Sequence, residues 1–185
     1  RGDDSWSTGL KMMEKKALAI INNVVKGNNQ ATLIRNVLQK IKRKDQIFIG
    51  NSMLIRMFDK FSGSIPMKVF GNHITRGIDG LISTALGVST INKKNNNYLF
   101  IGDVSFFYDI NGFHILKNEK INLTVIVVNN KGGQIFSQLP YADKKIKDFI
   151  KYWITPPFTK IKDVATLFKL RYYKYNVDEM RKNIN

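Results

Sequence analysis

The sequence predicts a doubly wound α/β domain, with a mainly parallel sheet and helices on both of its faces. Three observations carry that expectation. Short runs of β-branched and aromatic residues recur along the middle of the chain, and they are continuous rather than alternating, as strands buried on both faces require. Stretches with helical spacing separate them, the βαβ alternation of a parallel sheet with right-handed crossovers. Each run ends in Gly or Asn. In open α/β sheets the carboxyl ends of the strands form the ligand crevice, so small residues there stand where a ligand and the backbone must come close.

In chain order, two amphipathic stretches come first. Over 10–26, Leu10, Met13, Ala17, Ile20, Ile21 and Val24 recur at helical spacing and Gly27-Asn28-Asn29 is a stop. Over 30–43, Leu33, Ile34, Val37, Leu38 and Ile41 do the same, with Lys42-Arg43-Lys44 complementing the helix dipole. The strands follow: Gln46-Ile47-Phe48-Ile49 before Gly50, Lys68-Val69-Phe70 before Gly71, Tyr98-Leu99-Phe100-Ile101 before Gly102, and Leu123 to Val128 before Asn129-Asn130. Helices are expected over 52–61, over the stripe Ile78, Leu81, Ile82, Ala85 and Leu86, and over 105–117. Asn95-Asn96-Asn97 reads as a hairpin-like loop. Beyond Pro140, Pro156-Pro157 breaks the chain, with helical patterns near 161–170 and 177–183. The organisation is thus a helical lead-in over 1–45 and one α/β domain over 46–185.

Composition narrows the function classes. The 185 residues hold 30 Lys and Arg against 14 Asp and Glu, a formal charge of +16, and no Cys, which excludes a disulfide framework and a thiolate zinc site. No apolar run approaches the ~18 residues of a transmembrane helix. The excess charge is +6 over 1–45, +3 over 46–130, +1 over 131–140 and +6 over 141–185, and 23 of the basic residues are Lys. Phosphate and base recognition favours Arg in a clustered patch, so the charge reads as a solvated surface and not as a nucleic-acid face.

The residues that carry chemistry lie on two strand ends. Gly102-Asp103 closes one strand and Asn129-Asn130-Lys131-Gly132-Gly133 closes the next, with Asp103 and Asn130 27 residues apart, the span of one helix and one strand. A carboxylate, an amide oxygen and a backbone carbonyl are hard ligands suited to octahedral Mg²⁺, which completes its shell with phosphate and water. Ser105 and the amides that open the following helix are expected to face a diphosphate.

Four stretches together resemble one family. They are Gly50-Asn51-Ser52-Met53-Leu54-Ile55-Arg56, Gly77-Ile78-Asp79-Gly80-Leu81-Ile82-Ser83-Thr84-Ala85, the run from Ile101 to Gly112, and Val127-Val128-Asn129-Asn130-Lys131-Gly132-Gly133-Gln134-Ile135-Phe136-Ser137. The chain from about residue 30 onward is similar to the 2-succinyl-5-enolpyruvyl-6-hydroxy-3-cyclohexene-1-carboxylate synthases, thiamine diphosphate enzymes of menaquinone and phylloquinone biosynthesis. The Gly-Gly-Gln-Ile-Phe-Ser block separates them from acetolactate synthases and pyruvate decarboxylases. The resemblance implies decarboxylation of 2-oxoglutarate and addition of the resulting succinyl-semialdehyde carbanion to isochorismate. It implies Mg²⁺ or Mn²⁺ held by Asp103, Asn130 and the Gly132 carbonyl, and a cofactor bound by Gly102, Val104, Ser105, Gly133 and Ile135. Ile78 resembles the aliphatic residue that props the cofactor in its bent shape. Ser52, Arg56 and Phe136 resemble substrate-pocket residues.

One motif departs from the family. Where Asn-Arg-Gly-x-Ser-Gly-Ile-Asp-Gly is usual, this chain has Asn72-His73-Ile74-Thr75-Arg76-Gly77-Ile78-Asp79-Gly80, so a substrate carboxylate falls to His73 or Arg76. The resemblance also implies a pyrimidine-binding domain, with an activating Glu, that is absent from this sequence, and a homodimer or higher oligomer. The cofactor domain is expected to be truncated before its last strand, with no catalytic residue of its own. A bacterial cytoplasm or a plastid stroma suits such an enzyme. The alternatives are a degenerate or different thiamine diphosphate enzyme domain and a basic nucleic-acid-binding protein.

Overall fold

The computed structural model describes residues 4–72, 74, 76–140, 142 and 146–176. Its centre is a four-stranded, all-parallel sheet: β1 (Gln46–Ile49), β2 (Lys68–Phe70), β3 (Asn97–Gly102) and β4 (Leu123–Val128) in the order β2-β1-β3-β4. The helices between them are α3 (Met53–Phe61), α4 (Leu81–Ile91) and α5 (Asp103–Tyr108), the last followed by a 3-10 stretch, Ile110–Lys117. The order reverses between β1 and β3, which makes their carboxyl ends the switch point of the sheet. Among the described residues no helix is long and apolar enough to cross a membrane.

Two compact units can be separated. One holds α1 (Asp4–Val24), α2 (Gln30–Leu38) and residues 57–65; the other holds 41–56 and 66–174, and so the whole sheet. In the first, α2 buries Ala31, Thr32, Ile34 and Leu38, and Asn29 caps it by accepting the Thr32 amide at 3.0 Å. The helix stops at Leu38, short of the expected 43. The amide of Lys42 goes instead to the Asp45 carboxylate at 3.0 Å, in a turn that leads into β1. No residue of α1 is buried.

In the second unit the core is built from Phe48, Leu99 and Ile101 of the central strands, Leu81, Ile82, Ala85 and Leu86 of α4, and Phe106, Phe113 and Val164. Val164 belongs to α6 (Ile161–Leu167), the helix expected near 161–170. Burial of the continuous apolar runs holds for β1 and β3. It fails for the two edge strands: the three residues of β2 are exposed, and β4 is mostly half-buried, with Thr124 exposed and only Val128 buried. Asn95-Asn96-Asn97 makes no hairpin, since β3 is parallel to both its neighbours. His114 stands edge-on to Phe168 at 5.3 Å, an ordinary packing residue. The pattern over 177–183 lies outside the described residues.

Two helix boundaries differ from the sequence pattern in ways that shape the site. α4 begins at Leu81, behind Gly80 in the left-handed region (φ 67°), so Ile78 precedes the helix and is only half-buried. Gly80 has no side chain to cap the helix, and Asp109 does so from a distance: its carboxylate accepts the Ser83 amide at 2.6 Å and the Ser83 hydroxyl at 2.9 Å. Asp109 leaves helical geometry to reach it, which breaks the single helix expected over 105–117. Gly112 is required beside it, because a Cβ there would lie 2.6 Å from the Ser83 hydroxyl.

Candidate active site

The carboxyl ends of the four strands are tied to one another by hydrogen bonds. After β1, the Asn51 side chain donates to the carbonyls of Asn72, at 2.9 Å, and Gly77, at 2.6 Å, which anchors the loop leaving β2. Asn72 in turn donates to the Thr84 hydroxyl of α4 at 3.0 Å. Gly50 donates its amide to Phe100 of β3 at 2.8 Å. The ends of β3 and β4 are joined by the contact most relevant to chemistry: the Gly132 amide donates to Asp103 Oδ2 at 2.8 Å.

Asp103 is 2% exposed, and burial pushes its carboxyl above the usual carboxylate range. The amides of Gly132, Val104, Lys131 and Asp103 itself oppose that shift without cancelling it. Among the described residues no cationic side chain pairs with it. A buried carboxylate whose amide partners do not fully offset its desolvation is a natural seat for a cation.

The loop after β4 separates the two asparagines. Asn129 is exposed and its side chain accepts the Lys131 amide at 3.0 Å, which makes it the turn-former. Asn130 is half-buried, and among the described residues its side chain has no hydrogen-bond partner. Lys131 (φ 65°) and Gly132 (φ 118°) then turn through the left-handed region. Gly132 is also sterically obligatory, since a Cβ would run into the Ile154 carbonyl. Its own carbonyl accepts the Gln134 amide at 2.8 Å across Gly133, leaving one lone pair.

These donors fit a divalent cation shared with a diphosphate. Among the described residues no group of three or more His, Cys, Asp or Glu side chains stands together, so a metal caged by protein alone is not built here. One carboxylate, one amide oxygen and one carbonyl suit a Mg²⁺ that draws its other ligands from phosphate and water. The helix α5, whose opening amides are expected to face the diphosphate, is six residues long, and Asp103 is its first residue.

Of the remaining expected residues, Gly102 opens the turn into α5, Val104 is half-buried and Ser105 buried. Gly133 and Ile135 are half-buried, and Phe136 is exposed, edge-on to Trp153 at 5.6 Å. Ser52 holds a positive φ of 70°, and Arg56, exposed on α3, donates back to the Ser52 carbonyl at 2.7 Å. Arg76 is exposed with φ 54°, and His73 lies outside the described residues. Ser52, Arg76 and Lys131 place non-glycine residues in the left-handed region on three of the four strand-end loops, a concentration of strain typical of functional edges. Sequence reasoning missed Asn51, whose position after a strand-ending glycine was its signal, and Ile154, whose backbone carbonyl accepts the Gly133 amide and which gave none. The apolar patch of Trp6, Leu10, Met13 and Ala17 is carried by α1 alone and lies in the other unit.

Residues 61–168 match the family model described as the thiamine pyrophosphate enzyme, C-terminal TPP binding domain. The chain belongs to this family. A domain of this family binds thiamine pyrophosphate, the cofactor for which the donors at the ends of β3 and β4 are suited. Among curated relatives of this TPP-binding domain is the 2-succinyl-5-enolpyruvyl-6-hydroxy-3-cyclohexene-1-carboxylate synthase of Enterococcus faecalis, 35% identical over 170 residues. That match covers 91% of this chain and 30% of the synthase. The synthase of the same name from Leuconostoc mesenteroides is 38% identical over 157 residues, covering 84% of this chain and 29% of the relative. The chain thus spans about 30% of the length of the curated relatives it matches. A crystal structure from Mycobacterium smegmatis, described as a thiamin diphosphate-dependent enzyme, shares the fold with TM-score 0.62 at 13% identity, covering 84% of this chain and 28% of that one.

Proposed function

We propose that this TPP-binding domain is part of a synthase that converts 2-oxoglutarate and isochorismate in menaquinone or phylloquinone biosynthesis. The buried, cation-free Asp103 carboxylate joined to the Gly132 amide supports this most strongly, because it sets hard oxygen donors beside a strand-end turn in a domain of this family. Asp103, the Asn130 amide oxygen and the Gly132 carbonyl hold Mg²⁺ or Mn²⁺, which fixes the diphosphate. Gly102, Val104, Ser105, Gly133 and Ile135 surround the cofactor, and Ile78 supports its bent shape from the loop before α4.

Bound thiamine diphosphate supplies the electron sink for decarboxylation of 2-oxoglutarate and for transfer of the remaining four-carbon unit to isochorismate. Arg56 of α3 and Arg76 of the loop after β2 pair with substrate carboxylates, a role His73 shares. Ser52 orients a substrate, and Phe136 excludes water beside the cofactor. The activating Glu comes from a pyrimidine-binding domain in a dimer or higher oligomer, and the bacterial sources of the relatives favour a cytoplasmic setting.

Calorimetry of the 185-residue chain with thiamine diphosphate, with and without Mg²⁺, tests this reading. Weak binding that requires Mg²⁺ is expected, lost in Asp103→Ala. Binding indifferent to Mg²⁺, or retained by Asp103→Ala, would contradict it. These 185 residues alone are expected not to decarboxylate 2-oxoglutarate, and robust turnover would overturn the role assigned to the activating Glu of the pyrimidine-binding domain.

A further inference from the structure

The geometry points to the turn at Ile150–Ile154 as a positioning element that aims the Gly132 carbonyl at the metal, so that residues outside the cation's own ligands set its affinity. This rests on the metal-site reading above and adds to it a part of the chain that the site's motifs do not include. The peptide between Gly132 and Gly133 is planar and trans, so its C=O and N–H point in opposite directions. Its N–H donates to the Ile154 carbonyl at 2.6 Å. Whatever direction Ile154 imposes on that N–H therefore fixes the opposite direction for the Gly132 carbonyl. The preceding peptide plane is fixed in the same way by the Gly132 amide on Asp103. Two consecutive glycines would otherwise leave this tip the most mobile backbone at the site, and Mg²⁺ tolerates little departure from octahedral geometry.

The turn is itself built to hold one direction. Ile150–Ile154 forms a single π-helical turn, a form that recurs at functional sites, and it ends on Thr155 at φ 43°. A β-branched residue in the left-handed region is strained, and Pro156 follows it directly. Trp153 fastens the turn to the glycine tip. Its ring stacks on Phe149 at 6.2 Å and meets Phe136 edge-on at 5.6 Å, while its carbonyl lies 3.2 Å from where a Gly133 Cβ would be. The Ile154 side chain is buried, and its carbonyl closes the space beside Gly132.

The test is calorimetric, with thiamine diphosphate titrated at a series of Mg²⁺ concentrations, and thermal unfolding is measured in parallel. Trp153→Ala is expected to raise the half-saturating Mg²⁺ concentration about tenfold, the low end for loss of a residue that orients a ligand, and Trp153→Phe is expected to restore it to within about twofold. Thr155→Gly removes the strain at φ 43° and frees the turn. It is expected to melt no lower than wild type yet to need about threefold more Mg²⁺, a split that a residue serving stability alone would not show. Unchanged Mg²⁺ dependence in Thr155→Gly, or in a folded Trp153→Ala, overturns the positioning role. Should Trp153→Ala not fold, Thr155→Gly decides. Absence of any Mg²⁺ dependence in the wild type would instead overturn the metal-site reading itself.

Discussion

Two aspartates are buried at opposite ends of the same parallel sheet, and they are treated differently. Asp45, 1% exposed, stands immediately before β1. Both of its oxygens are used locally: Oδ2 accepts the Lys42 amide at 3.0 Å and Oδ1 the Asn96 amide at 3.1 Å. Around it the asparagines satisfy one another, with the Asn97 side chain donating to the carbonyls of Asn92 and Asn122 and Asn122 donating to Asn95. Asp103, 2% exposed, stands immediately after β3 and keeps a carboxyl whose burial is only partly offset by amides. One carboxylate closes the amino edge of the sheet. The other stands at the carboxyl edge, where parallel α/β sheets bind their ligands, and is the carboxylate proposed above to hold the cation.

Glycine substitutions break this contrast most strongly. Gly132→Ala forces a side chain into the left-handed region and against Ile154, and is expected to cost about 3 kcal/mol in denaturant unfolding and to remove Mg²⁺-dependent cofactor binding. Gly102→Ala, at φ −74° with nothing within 4 Å of the new Cβ, is expected to stay within about 1 kcal/mol of wild type. Asp45→Ala comes next. It strands two backbone donors and is expected to lower stability by about 2 kcal/mol, while the folded variant still binds cofactor with Mg²⁺.

A smaller effect has the opposite sign. The folded-state pKa of Asp103 lies above its ordinary value, so the carboxyl is protonated in both states below the unfolded value and burial then costs nothing. The cost builds as pH rises between the two values and is fully present above the folded one. Metal-free Asp103→Asn is therefore expected to melt a few degrees higher than wild type at pH 7, with the gain vanishing in acid. The smallest effect belongs to the amino edge. Burial, and then the charge of Asp45, hold the Tyr98 hydroxyl above its usual pKa. Stability from this group is present below the unfolded value near 10 and is lost as pH rises through the folded one. Tyr98→Phe is expected to flatten that alkaline limb slightly in thermal melts.

The sheet and its ligand edge were legible because strand burial and strand ends leave marks in composition. Apolar runs at Ile47–Ile49 and Leu99–Ile101 stop at glycines, and the spacing of Asp103 and Asn130 placed them on adjacent tips, where β3 and β4 do pair. What was not legible depends on partners far apart in sequence. Ile78 continues the apolar stripe of α4 numerically, yet Gly80 turns the chain between them. The break at Asp109 follows from Ser83, 26 residues earlier, and the hydrogen bond that ties the Gly132-Gly133 tip comes from a carbonyl at Ile154 that no side-chain pattern announces. That β2 and β4 are the edges of the sheet, and less buried than β1 and β3, follows from strand order, which a list of strands does not contain.

The claim that Asp103 is the seat of a cation is tested most directly by thermal unfolding of wild type and Asp103→Asn with saturating thiamine diphosphate, each with Mg²⁺ and with chelator. A ligand that binds only the folded state raises the melting temperature. A rise that needs Mg²⁺ is expected for wild type, and none for Asp103→Asn, although that variant starts from the higher melting temperature. An equal, Mg²⁺-dependent rise in both proteins would contradict it.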